Sequence, residues 1–348
     1  MKKYILVLVC GGVVGGHEIQ LRAVLQDLCE IRSEVLVLCQ TAATHAYFSS
    51  LPCEVRQVEF GVAGKVWHQW RGAPAIALQL KAFLVSANSI LVSGGTIEAC
   101  IGAARAAKLS QPEIAVTAYI PMYIDRSRSH GMVGTIYDLI VDRMARVVDV
   151  YLTINRIQAG LLRRHYGRPV KVVENAIQAV RAPLVSKGHR LVFLGRFDDA
   201  QKGLVELIDM LDLPGHSYSE LILIGDGPDK ASIAARAAAA KFVKVQLISW
   251  MSVTEVDDFL GMDDCLVMNS RWEGEPLVVR EFAARGLPCV VRNIIGMRGV
   301  TKKSLRFVDG PSLLEILNRL HGANRKSAFV RSKRVLQSRR IAIISSCF

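Results

Sequence analysis

Two carboxylates flank a helix start in the stretch Glu273-Gly274-Glu275-Pro276-Leu277-Val278-Val279-Arg280-Glu281. Pro276 suits the first helical position, where its missing N–H costs nothing, and Gly286-Leu287-Pro288 ends the helix about three turns later. Glu273 then falls in the entering loop and Glu281 on the helix. A carboxylate accepts both hydroxyls of a vicinal diol, and a helix N-terminus offers unpaired N–H groups to an anion. Sugars and nucleotide phosphates need both tools. A second candidate is Gly11-Gly12-Val13-Val14-Gly15-Gly16, which follows an apolar run and opens a helix, so backbone N–H groups can approach a phosphate closely. It is neither a dinucleotide fingerprint nor a Walker loop, since His17-Glu18 replaces Lys-Ser/Thr, and a plain strand-to-helix turn is the alternative. Arg126, Arg128 and His130 form a cationic loop able to meet an acceptor phosphate, although a lone loop histidine is more often an exposed polar residue.

These residues need a scaffold that brings loops together. Short β-rich runs (Tyr4 to Cys10, Glu34 to Cys39, Ser89 to Val92, Glu113 to Ala118, Tyr151 to Ile154, Lys171 to Val173) alternate with helical stretches such as His17 to Glu30, Thr96 to Leu109 and Gly131 to Arg146. That alternation argues an α/β, doubly wound parallel sheet. After a linker with no strong periodicity it restarts, with strands at Arg190 to Leu194, Glu220 to Ile224, Val243 to Ile248, Cys265 to Met268 and Cys289 to Val291. The expected organisation is a first Rossmann-like domain over 1–175, a linker over 176–188 and a second such domain over 189–348, facing each other across a cleft.

The same residues carry a family resemblance. Glu273 and Glu281 resemble the Glu-x7-Glu motif of retaining, family 4-like glycosyltransferases with the GT-B fold. In order along the chain, Gly15-Gly16-His17-Glu18, Val172-Val173-Glu174-Asn175, Gly195-Arg196 with Lys202-Gly203, Gly225-Asp226-Gly227-Pro228 and the strand from Asp264 to Ser270 are similar to further motifs of that family. The resemblance implies a nucleotide-diphosphate sugar as donor and a saccharide or lipid-linked hydroxyl as acceptor, with retention by front-side displacement. By the same carry-over Gly15, Gly16, Gly225, Gly227, Gly274, Pro276 and Leu277 line the donor site, Arg196 and Lys202 neutralise its diphosphate, Glu281 holds the ribose hydroxyls and Glu273 lies near the donor sugar. Local pairing of one cation with Asp198 or Asp199 is the competing reading. The family's histidine after a middle strand of the first domain is absent, since Ala118 runs into Tyr119-Ile120-Pro121; His17 and His130 are the substitutes, with His17, Arg126 and Arg128 on the acceptor side. No Asp-x-Asp follows an apolar strand, so no metal and no cofactor are expected, with Arg196, Lys202 and the helix dipole in a cation's role.

Composition sets the bounds. With 348 residues, 51% hydrophobic and 22% charged, the chain reads as two globular domains rather than a disordered one. Eight scattered cysteines, with no Cys-x-x-Cys pair, fit reduced cytosolic thiols. Lys2-Lys3 before Tyr4 to Cys10 imitates a signal peptide, but the run breaks at Gly11-Gly12 and suits a buried first strand better. A formal charge of +13 without any recognition-helix, zinc-finger or aromatic RNA-binding signature points away from nucleic acid. It suits diphosphates and the anionic cytoplasmic leaflet, hence a cytoplasmic protein with peripheral contact at the inner membrane, in surface-polysaccharide or lipopolysaccharide assembly. The tail, with Arg331, Lys333, Arg334, Arg339 and Arg340, lacks the long returning helix usual in the family. It reads as a divergent membrane-facing helix or as the product of a shifted reading frame. A catalytically silent binding partner and a nucleotide-sugar epimerase are the other functional readings.

Overall fold

The computed structural model describes residues 4–12, 14–32, 34–61, 65–124, 126–176, 180–214, 217–218, 220–322 and 337–348, with backbone alone for 127–130 and 337–339. The chain forms two compact units, Met1–Ala176 with Val335–Phe348, and Ile177–Arg334.

The first unit runs β1 (Tyr4–Val9), α1 (Gly16–Ile31), β2 (Val35–Cys39), α2 (Ala42–Phe48), β3 (Glu54–Gln57), α3 (Val66–Gln79), α4 (Lys81–Leu84), β4 (Ala87–Ser93), α5 (Ile97–Ser110), β5 (Ala115–Tyr119), α6 (Ser127–Ala145), β6 (Val150–Thr153), α7 (Arg156–Tyr166) and β7 (Val170–Val172). Its seven strands are parallel in the order β3-β2-β1-β4-β5-β6-β7. Strand periodicity explains the buried run of β1: Leu6 and Leu8 enter one apolar cluster, while Ile5, Val7 and Val9 enter another on the opposite face. Gly131, at φ 54°, interrupts α6.

The second unit contains β8 (Arg190–Leu194), α8 (Asp199–Lys202), α9 (Leu204–Leu211), β9 (Glu220–Ile224), α10 (Lys230–Ala238), β10 (Lys244–Ile248), α11 (Val253–Phe259), β11 (Cys265–Met268), α12 (Leu277–Ala284), β12 (Cys289–Arg292), β13 (Arg306–Phe307) and α13 (Gly310–Gly322). Its six strands are parallel in the order β10-β9-β8-β11-β12-β13. Both sheets therefore follow one doubly wound scheme, in which the chain winds outwards one way from a central pair and then the other.

Three details differ from the sequence reading. The edge strands β3 and β13 were not expected: β3 (Glu-Val-Arg-Gln) is mostly exposed and β13 has two residues, so neither carries an apolar pattern. Pro276 is the cap of α12 rather than its first residue, and the helix stops at Ala284, two residues before Gly286 at φ 82°. The final helix, α14 (Gln337–Ser345), groups with the first unit, not with the second domain into which 189–348 had been placed. The reason is physical. Ile344 is fully buried with Leu21, Val24, Leu25 and Leu28 of α1, and Arg340 Nε donates to Asp27 Oδ2 at 2.8 Å while its Nη1 donates to the Glu174 carbonyl at 2.9 Å. The basic tail thus contributes a returning helix whose arginine offsets a buried carboxylate; Arg331, Lys333 and Arg334 lie outside the described residues.

Candidate functional site

In the second unit the winding reverses between β8 and β11. Ligands of open α/β sheets sit beyond the carboxyl ends of the strands at such a reversal. The loop after β8 carries Arg196, the short helix α8 that follows it ends in Lys202, and the loop after β11 carries Glu273. The topology therefore delivers three of the expected residues to one place.

Lys202 Nζ donates to Glu273 Oε1 at 2.5 Å, and the two side chains are only 12% and 11% exposed. Pairing of Lys202 with Asp198 or Asp199, the competing reading, does not occur. Asp198 caps α8 by accepting the Gln201 N–H at 3.1 Å, and Asp199 accepts the Val205 N–H at 2.8 Å. Arg196 is exposed just past β8 and pairs with no carboxylate among the described residues.

A polar network fixes the two loops to each other. Arg271 N–H donates to the Gln201 carbonyl at 2.8 Å, and Gln201 Nε2 donates to the Trp272 carbonyl at 3.1 Å. Beneath them Asn269 Nδ2 donates to the Gly203 carbonyl at 2.9 Å and Arg292 Nη1 to Glu206 Oε2 at 3.0 Å. Burial alone would raise the Glu206 carboxyl, but Arg292, Asn269 and Arg271 outweigh it and hold the group below its usual range. None of Glu206, Asn269 and Arg292 was singled out from sequence, because a polar residue on the first turn of a helix or at a strand end looks the same whether it is solvated or clamped.

Gly225 and Gly227 act on this site through the backbone. A Cβ on Gly225 would sit 1.9 Å from the Gly195 carbonyl oxygen and one on Gly227 would sit 2.4 Å from that of Phe197. The loop after β9 can therefore lie directly on the loop bearing Arg196, where Phe197 N–H donates to the Asp226 carbonyl at 2.9 Å. Gly296 supports Glu273 in the same way, since a Cβ there would lie 2.1 Å from the Glu273 carbonyl oxygen. A lone glycine four residues beyond β12 was the available signal.

Pro276 turns the chain into α12 and its carbonyl accepts the Val279 N–H at 3.2 Å, which leaves the Leu277 and Val278 N–H groups of the first turn without intrahelical acceptors. Gly274 and Leu277 flank it, with Glu275 Oε2 paired to Arg280 Nη1 at 3.2 Å. One turn further, burial pushes the Glu281 carboxyl up, against the opposing pull of Arg285. Arg285 is committed elsewhere, its Nε donating to Asp257 Oδ1 at 2.8 Å. Glu281 is thus a desolvated carboxylate whose ionised form gains from any added hydrogen-bond donors. Asp264, at the start of β11, is fully buried and chelates Arg190 through Nε at 2.8 Å and Nη2 at 2.7 Å.

In the first unit the winding reverses between β1 and β4, and His17 bridges that point. Its Nε2 accepts the Gly95 N–H at 3.0 Å and lies 2.9 Å from Ser93 Oγ, while its ring stacks on Tyr119 at 5.4 Å. Accepting from a backbone N–H places the ring proton on Nδ1, which is buried without a hydrogen-bond acceptor among the described residues. Burial lowers the imidazole pKa to about 4, so His17 is neutral. The loop at Gly15-Gly16 opens α1 as expected, but Gly15 N–H already donates to Glu18 Oε2 at 2.9 Å, leaving Gly16 as the open backbone position. Arg126 is no free cation: it pairs with Glu98 and with Asp138 (3.3 Å), and its N–H donates to Asp138 Oδ2 at 2.8 Å. The side chains of Arg128 and His130 lie outside the described residues.

Residues 176–308 match the family described as glycosyl transferases group 1. An uncharacterized 41.2 kDa protein in the cps region of Klebsiella pneumoniae is 27% identical over 135 residues, 37% of this chain and 36% of that protein. A UDP-Gal:alpha-D-GlcNAc-diphosphoundecaprenol alpha-1,3-galactosyltransferase of Escherichia coli is 36% identical over 59 residues, 17% of this chain and 15% of its own. The chain thus aligns with only about a third and a seventh of these relatives. Anabaena Alr3699/HepE, solved in complex with UDP and glucose, superposes with a TM-score of 0.74 at 15% identity, covering 99% of this chain and 97% of that one. The fold is GT-B.

Proposed function

We propose, for a chain whose residues 176–308 form a glycosyl transferases group 1 domain within a GT-B fold, that it transfers a sugar from a nucleoside diphosphate to a hydroxyl with retention at the anomeric carbon. The observation that carries this reading is the meeting of Lys202 and Glu273 at the reversal point of the second sheet, with Arg196 exposed just past β8 and without a carboxylate partner among the described residues.

In this reading the diphosphate lies against Arg196, Lys202 and the N–H groups opening α12, and the Glu281 carboxylate accepts the ribose hydroxyls. Glu273 orients the sugar and Lys202 together. The bond between the anomeric carbon and the β-phosphate oxygen breaks as the acceptor oxygen bonds to the same face of that carbon. The acceptor's proton passes to the departing phosphate oxygen, whose charge Arg196 and Lys202 stabilise. This differs from a retaining glycosidase, which needs a nucleophilic carboxylate and an acid about 5 Å apart. His17, neutral and at the first sheet's reversal, serves the acceptor side by holding the Gly95 N–H and not as a cation. The two relatives, one encoded in a cps region and one acting on a diphosphoundecaprenol-linked sugar, support a lipid-linked or saccharide acceptor in surface-polysaccharide or lipopolysaccharide assembly, on the cytoplasmic side of the membrane. Among the described residues no helix is long and apolar enough to cross a membrane.

A panel of UDP-, GDP-, ADP- and CMP-sugars, scored for thermal stabilisation and for nucleotide release with cell-derived acceptor lipids, with and without chelator, tests the proposal. The expected result is one donor that stabilises and is turned over, chelator notwithstanding, with the product's anomeric configuration retained by NMR. Binding without release would make the protein a silent partner; no binding would overturn the assignment.

A further inference from the structure

Helix α6 turns large apolar residues outwards. Met132, Val133, Ile136, Leu139 and Ile140 are 79%, 75%, 55%, 69% and 38% exposed. At 3.6 residues per turn they fall within an arc of about 120°, and exposed Arg143 falls in the same arc. The opposite side, with Asp138, Val141 and Ala145, is buried against the unit. Such a helix has its two faces accounted for differently: one by the core, the other by nothing else among the described residues of its unit.

The charges around this face have one sign. The two carboxylates of α6 turn inwards, Asp138 to Arg126 and Asp142 to His165, whose Nδ1 lies 2.9 Å from Asp142 Oδ2. At the C-terminal end, exposed Arg143 and Arg146 follow the apolar arc, and Arg168 Nε donates to the Arg146 carbonyl at 3.1 Å, which keeps a third guanidinium beside them. Arg163 and Arg164 of α7 are exposed too. No carboxylate among the described residues pairs with any of these five. A second copy of the same face would bring apolar residues but no carboxylate to meet the arginines, so charge complementarity disfavours self-association. An anionic bilayer supplies both requirements, since an interfacial helix buries its apolar side at the headgroup and acyl boundary while cations engage the phosphates.

We propose that α6 is a membrane-surface helix, seated in the plane of an anionic lipid leaflet through Met132, Val133, Ile136, Leu139 and Ile140, with Arg143, Arg146 and Arg168 on the lipid phosphates. The choice of occupant rests in part on the lipid-linked acceptor proposed above; the surface itself does not.

The test is cosedimentation of the full chain with vesicles of phosphatidylcholine alone or mixed with phosphatidylglycerol, with no sugar present. The wild type should partition onto the mixed vesicles, weakly onto the neutral ones, and less at high salt. The pair I136D and L139D should lower partition by roughly tenfold or more, and R143E with R146E should remove the preference for anionic lipid. Because all four side chains are exposed, each variant should keep the wild-type melting temperature and the same turnover of a water-soluble acceptor. Wild-type protein that ignores both vesicle types would overturn the proposal, as would unchanged partition of the aspartate pair. So would a wild-type dimer that this pair converts to monomer, which would make the face a self-association surface. Each of these outcomes leaves donor binding and transfer to be judged separately.

Discussion

Replacing His17 by glutamine should flatten the acid side of the protein's stability profile. The imidazole is neutral in the folded chain with a pKa near 4, against an ordinary 6.5. Between those values the unfolded chain takes up a proton that the folded one refuses. The contribution is therefore complete above about pH 6.5 and is lost as pH falls towards 4. A shift of about 2.5 units at 1.36 kcal/mol each amounts to about 3 kcal/mol. For a domain of this size that corresponds to roughly 6–12 °C in melting temperature. The geometry explains the sign, because protonating Nε2 would remove the acceptor of the Gly95 N–H and leave a charge where Nδ1–H already lacks a partner. Glutamine can keep an acceptor near the Nε2 position and cannot titrate. Thermal melts of both proteins at pH 7.5, 5.5 and 4.5 should diverge only on the acid side, with the wild type losing more. Parallel profiles, or an imidazole resonance titrating near 6.5, would refute the reasoning. The functional corollary is that His17 cannot work as a cation, so no limb of the pH–rate profile near 6.5 should vanish in the variant.

Four further outcomes follow from the geometry. Lys202→Met and Glu273→Gln should each destabilise by about 3 kcal/mol by stranding a largely buried charge, and the double variant should recover part of that loss while staying inactive; strictly additive melting shifts would show that the two residues are not a unit. Glu281→Gln should raise the melting temperature at pH 7 and not in acid, because burial has raised this carboxyl and its ionised form costs stability as pH climbs through the raised pKa; calorimetry should show nucleotide affinity weaker by about 1–3 kcal/mol, and unchanged affinity would remove it from the donor site. Arg196→Ala, at an exposed and unpaired position, should leave melting unaltered yet slow turnover about 100- to 1000-fold, with normal turnover excluding a leaving-group role. Arg340→Ala should cost about 3–5 kcal/mol in urea titrations by leaving Asp27 buried alone; no loss would mean that α14 is not docked.

What was readable in the sequence was whatever a strand or a tight turn imposes locally. The apolar runs of β1, β8, β9 and β11 stand out because a parallel strand covered on both faces needs every residue apolar, whereas β3 and β13 lie at sheet edges that make no such demand. Glu273 and Lys202 could be nominated by type and position, but not their contact, which depends on two loops 71 residues apart meeting at the reversal of the sheet. Arg126 could be nominated from a basic cluster, but its partners Glu98 and Asp138, which the fold brings beside it, could not. Gly225 and Gly227 were chosen as ligand-facing residues, and their tight contact is with the neighbouring loop. The tail resisted because one buried arginine and one buried isoleucine on a short helix make no periodic signal.

That helix bears on how the chain can be made. The first unit is discontinuous, closing only when residues 335–348 return to it. During synthesis Asp27 leaves the ribosome more than 300 residues ahead of Arg340, so the first sheet must wait, with one carboxylate unmatched and one flank of α1 bare, until the second unit has been translated. Cutting at the boundary near 176 would not yield two independent halves. Only the second is a continuous stretch of chain, and damage to the last dozen residues would be felt at the opposite end of the sequence.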